Sequence, residues 1–192
     1  FMLFNTALHH PTIMFNKSKV QFNDRSLYNE KLAPSEDYFL WTELSEELHV
    51  ENLPDIILKY RVHTENYSTI KKQDQKNNNL IIREKYFKKY LNIKIDMKIN
   101  AILNKLLYSD YYNLKEIKKL RLFFHEIIKT KSNHQDYIYL QNVISFFWLK
   151  AIIVNGKEIG FIEKLFFLFD CKIKIIRILR SKYLTKKLIF NI

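Results

Sequence analysis

The sequence predicts a mixed α and β chain that is predominantly helical. From residue 66 onward, apolar residues recur at spacings of three and four, the period of a helix that buries one face. Before residue 70 the texture differs: short apolar runs, one clean alternation and a single helix. An apolar fraction of 47% over 192 residues is enough for a packed core, so the chain as a whole does not read as disordered.

The elements follow in order. Thr12–Phe15, after Pro11, is a short apolar run of the kind found in buried strands. Residues 16–34 are polar and irregular. A helix is expected from about Ser35 to Leu48, with Ser35 as its cap and Glu36 and Asp37 in the first turn, where the helix dipole favours anions. Between Asp55 and His63, Ile56, Leu58, Tyr60 and Val62 alternate with Lys59, Arg61 and His63, the pattern of a half-buried strand. Weaker helical patterns cover about 68–91 and 96–108. Asn113 opens another helix, with Glu116 three residues on in a capping-box arrangement and an apolar stripe of Leu114, Ile117, Leu120, Phe124 and Ile127. Leu140, Ile144, Phe147, Ala151 and Val154 form the next stripe, and Asn155-Gly156 is a helix stop.

Composition removes several function classes. The two glycines, Gly156 and Gly160, cannot build a phosphate-cradling loop or a dinucleotide fingerprint. One cysteine, Cys171, excludes an internal disulfide framework and an all-cysteine zinc site. No signal peptide is visible, and no run reaches the ~18 apolar residues expected of a spanning helix. Residue 1 is Phe, as expected if the chain starts within a longer protein. The net charge of +12 is divided unevenly: residues 1–70 hold 6 Lys/Arg against 10 Asp/Glu, and residues 71–192 hold 26 against 10. The second part should therefore meet something anionic, unless its lysines only keep the helices soluble.

The helix from Ser35 carries the first candidate chemistry. Asp37, Trp41, Leu44 and Leu48 share one stripe, which places Asp37 at the start of the core-facing side. Partial burial raises the pKa of such a carboxylate, while the helix dipole and nearby N–H groups lower it. The result suits a general base, although spacing alone favours a first-turn acid that stabilises its helix. His63 and Arg61 lie on the polar side of the alternating segment, with no ligand-spaced His/Asp/Glu cluster nearby. His9 and His10 are adjacent, so on a strand only one of them could face a cleft.

The order of motifs adds to this reading. Asn5-Thr-Ala-Leu-His-His-Pro-Thr-Ile-Met-Phe15 precedes Leu27-Tyr-Asn-Glu30, then Pro34-Ser-Glu-Asp-Tyr-Phe-Leu-Trp41, then Glu51-Asn-Leu-Pro54, then Leu58-Lys-Tyr-Arg-Val-His63. Over residues 1 to about 70 this resembles the C-terminal half of the catalytic domain of family 2 glycosyltransferases, which have the GT-A fold. The resemblance implies sugar transfer from a nucleotide-sugar donor to a sugar or lipid-linked acceptor, in surface polysaccharide or glycolipid synthesis. It implies Asp37 as the base that deprotonates the acceptor hydroxyl and Glu36 as its support. His10 and Trp41 would wall the acceptor, and Arg61 would favour the donor phosphates. His63 would help hold a divalent metal, magnesium or manganese, kept mainly by a nucleotide-binding half that this chain lacks. No Asp-x-Asp metal motif precedes the acceptor segment. Where relatives carry glycines before the residue matching Tyr28, this chain has Asn23-Asp24-Arg25-Ser26.

The expected organisation is three parts: the acceptor-side half of a GT-A domain over 1–70, a helical extension over 71–158 and a basic amphipathic tail over 159–192. From residue 164 the tail holds eight basic residues and one acid, Asp170, among Leu165, Phe166, Phe169, Ile173, Ile176, Leu179 and Tyr183. Such a helix suits an anionic membrane surface, and it equally suits docking on the preceding bundle. No nucleic-acid recognition motif is present, so no nucleic-acid partner is expected. The expectation is a transferase peripheral to the cytoplasmic face of the cell membrane, inactive as this chain alone. The alternative is a non-catalytic module, derived from such an enzyme, that binds a membrane or a partner.

Overall fold

The computed structural model describes residues 2–20, 27–53, 55–61, 63–108, 110–132, 137–153 and 159–168. The helical expectation holds, and the α/β expectation does not. Among the described residues there is no strand and hence no sheet, which does not match a GT-A domain. The two predicted strands are the point of failure. His10–Thr12 is a 3₁₀ turn with Pro11 in its first positions, and the backbone after it is irregular. The described residues between Asp55 and His63 are irregular and exposed, with Ile56 at 86% and Tyr60 at 63% exposure. Alternation shows which residues could share a face. A strand also needs a neighbour to take its backbone N–H and C=O groups, and no local pattern supplies one.

The chain divides into two compact units, Phe1–Lys94 and Ile95–Ile192. The charge boundary near residue 70 lies inside the first. That unit contains α1 (Glu36–Leu44), the single turn α2 (Tyr67–Ile70), α3 (Lys72–Tyr86) and a π-helical turn, Phe87–Leu91. Helix α1 is shorter than expected, ending in turns after Leu44. Ser35 does not cap it. Its buried hydroxyl points instead to the Gln75 carbonyl of α3, at 3.4 Å.

Helix α3 holds the unit together through polar side chains. Its buried positions are Asn79, Ile82, Arg83 and Tyr86, one helical stripe that is half polar by composition. Arg83 is fully buried and donates from Nε to the Phe4 carbonyl at 3.0 Å. Asn78 donates to the Ala33 carbonyl at 3.0 Å, just before α1. Lys89, from the π-helical turn, pairs with Glu46 at 2.8 Å, and Lys85 sits 4.4 Å over the Phe39 ring. The π turn closes at Asn92, whose φ of 53° is a left-handed conformation that asparagine tolerates.

The second unit contains α4 (Met97–Tyr108), α5 (Leu114–Thr130), α6 (Tyr137–Ile153) and α7 (Phe161–Leu168). Asn113 and Glu116 form the expected reciprocal capping box. Ile117, Leu120, Phe124 and Ile127 are all fully buried, as their spacing predicted. Helix α6 is buried nearly all round, from Leu140 to Ile152, which marks it as the central helix of its unit. Helix α7 packs on it: the Trp148 indole donates to the Phe167 carbonyl at 3.0 Å, and the two rings meet edge-on at 5.7 Å. The expected Asn155-Gly156 stop, and the tail beyond Leu168, lie outside the described residues.

Candidate active site

The candidate site is built on the N-terminal turn of α1 and the 3₁₀ turn at His10. Two tethers hold the N-terminal segment, one from α1 and one from α3. Tyr38 donates its hydroxyl to the Met2 carbonyl at 2.7 Å, and Arg83 holds the Phe4 carbonyl. Leu8 then packs with Leu40 and Trp41, joined at the edge by Met2, Ile13, Leu27, Tyr28 and Leu44. This small core carries His10 to α1.

Asp37 is half-buried at the start of α1, and its Oδ1 accepts the Tyr38 N–H at 2.6 Å. Burial pushes its carboxyl above the usual carboxylate range. The Tyr38 N–H opposes that shift, the neighbouring Glu36 charge reinforces it, and the His10 charge opposes it. A proton acceptor raised by burial and steadied by a backbone donor has the character of a general base. Glu36 buries Oε2, and Trp41 buries Nε1, each without a hydrogen-bond partner among the described residues. Trp41 is 4% exposed and His10 is exposed, yet their rings approach to 5.8 Å. Tyr28 meets the same imidazole edge-on, also at 5.8 Å.

Four of the six residues expected at the site thus gather here: Asp37, Glu36, His10 and Trp41. His10 does so from a 3₁₀ turn rather than a strand, so the alternating-face argument for His9 and His10 does not apply. Arg61 and His63 are both exposed on irregular backbone, where the Arg61 and His63 carbonyls accept from Asn66. Among the described residues no three His, Cys, Asp or Glu side chains converge to hold a metal. His63 therefore offers one ligand rather than a site, and the described residues do not by themselves fit the divalent metal that the motifs imply. Sequence reasoning left Tyr28 and Arg83 without a role. Tyr28 stood inside a quoted motif, whereas an arginine in a polar helix gave no signal of burial.

The start of α1 thus carries two carboxyl groups, Glu36 and Asp37, near the ring cluster of His10, Tyr28 and Trp41. The chain is 29% identical over 126 residues to a protein of Haemophilus influenzae named as an uncharacterized glycosyltransferase, a match over 66% of this chain. The chain spans only 38% of that relative's length. The similarity supports a glycosyltransferase relationship. No protein-family model matches the chain. No solved structure matches it. Among the described residues, no helix is long and apolar enough to cross a membrane.

Proposed function

We propose that this chain is the acceptor-side part of a family 2 type glycosyltransferase, which moves a sugar from a nucleotide-sugar donor to an acceptor hydroxyl. One observation carries the reading: the half-buried Asp37 carboxylate at the start of α1, beside His10 and Trp41, in a chain similar to a protein named as a glycosyltransferase. Asp37 takes the proton from the acceptor hydroxyl as that oxygen attacks the anomeric carbon of the donor sugar, and the bond from that carbon to the nucleoside diphosphate breaks, so that the diphosphate leaves. Trp41 and His10 wall the acceptor ring, and Glu36 supports the carboxylate side. Arg61 favours donor phosphate charge. His63 would lend one ligand to a divalent metal whose other ligands the described residues do not supply.

The finer parts of the proposal rest on charge. The basic excess of residues 71–192 supports an anionic membrane surface as partner and a lipid-linked acceptor, at the cytoplasmic face of the membrane. A second reading, a non-catalytic binding module, is favoured by the exposure of Arg61 and His63 on irregular backbone. The deciding experiment supplies the full-length protein with a panel of nucleotide sugars, with and without magnesium or manganese, and measures release of nucleoside diphosphate. Acceptor-dependent release is expected, with a higher metal requirement in His63→Ala. No release with any donor would leave the binding-module reading.

A further inference from the structure

We propose that Tyr28 is a positioning residue, which together with Trp41 holds the His10 imidazole at the end of α1 where Asp37 sits. The proposal rests on the transfer reading above. His10 is exposed on a three-residue turn, so its side chain would otherwise sample several rotamers. Two rings restrict it: Tyr28 at 5.8 Å and 79° to the imidazole plane, and Trp41 at 5.8 Å and 36°. The first is the edge-to-face geometry that aromatic quadrupoles favour. Both rings are themselves anchored. Trp41 is buried on α1, and Tyr28 is half-buried against the Leu8, Leu40 and Trp41 cluster.

The place of the imidazole matters because, when it is protonated, its charge draws the Asp37 carboxyl toward the ionised form against burial and Glu36. A His10 free to turn away would leave Asp37 in a less defined field and would open the acceptor wall. Tyr28 therefore acts on the reaction through His10, without being a catalytic residue itself. The contact requires an aromatic ring at position 28, so Tyr28→Phe is the conservative rescue.

The test has two arms. In the first, proton–carbon NMR follows the His10 ring, assigned among the six histidines by loss of its signal in His10→Gln. Tyr28→Ala should move the His10 ring signals toward free-histidine positions, and Tyr28→Phe should leave them in place. Tyr28→Leu, which keeps apolar bulk for the core cluster, should behave like Tyr28→Ala and guards against a folding defect. In the second arm, sugar transfer by the full-length protein should fall about 10²-fold in kcat with Tyr28→Ala, the scale for a misplaced group. It should recover in Tyr28→Phe. The Tyr28→Ala/His10→Gln double variant should lose no more than the worse single variant. Unmoved His10 signals in a folded Tyr28→Leu protein overturn the positioning role, and so does full additivity in the double variant. A wild type that transfers no sugar overturns the transfer reading instead, while the NMR arm still decides whether Tyr28 places His10.

Discussion

Asp37→Asn is expected to separate function from folding at this site. The amide keeps an oxygen where the carboxylate oxygen now accepts the Tyr38 N–H at 2.6 Å, so the first turn of α1 keeps that bond. It removes the charge that burial disfavours and that Glu36 repels. The pH sign follows from the raised pKa. The folded state holds this proton more tightly than the unfolded chain, so its contribution is full below the ordinary carboxylate value. That contribution is lost as pH rises through the raised value. Above that raised value the wild type bears an ionised, partly buried carboxylate that Asp37→Asn does not. The variant should unfold in urea at the same or higher denaturant concentration, with a flatter stability profile in mildly acidic solution. Asp37→Ala, which loses the acceptor, should cost about 1 kcal/mol, the scale of a lost helix-start bond. Sugar transfer by the full-length protein should nevertheless fall by ~10² to 10⁴ in both variants, the range for a lost general base. The assay pairs nucleoside diphosphate release with urea melts. Asp37→Asn activity within a few-fold of wild type would refute the base assignment. A loss of stability matching the loss of activity would refute the claim that the two are separable here.

Three further outcomes test the architecture. Arg83→Leu leaves the buried Phe4 carbonyl without its charged donor and should lower stability by about 1.5–3 kcal/mol in denaturant titrations, the worth of a hydrogen bond to a charged group. Phe167→Ala empties the space beside Trp148 and should cost about 3–5 kcal/mol in the same assay, so an unchanged midpoint would mean that α7 does not dock on α6. Reversing Lys172, Lys174, Arg177 and Arg180 to Glu should release the protein from anionic vesicles in co-sedimentation, since each basic residue near such a surface contributes about 1 kcal/mol. Equal pelleting of this variant and the wild type would remove the membrane from the proposal.

The sequence by itself determined the parts of this protein that depend on neighbours along the chain. The α5 stripe and its capping box were legible because residues three and four apart meet on a helix whatever surrounds them. The burial of Trp41 on α1 was legible for the same reason, whereas Asp37 on the same expected stripe is only half-buried. Helix α3 was faint because its buried stripe includes Asn79 and Arg83, residues that a hydrophobic period does not count. The tertiary structure decided what depends on distant partners. It turned two strand-like segments into a 3₁₀ turn and irregular chain, since alternation cannot provide the neighbouring strand that a ladder needs. It also brought His10 to Tyr28 and Trp41. That meeting depends on Arg83 and Tyr38 holding the carbonyls of Phe4 and Met2, bonds that span 79 and 36 residues and leave no periodic trace.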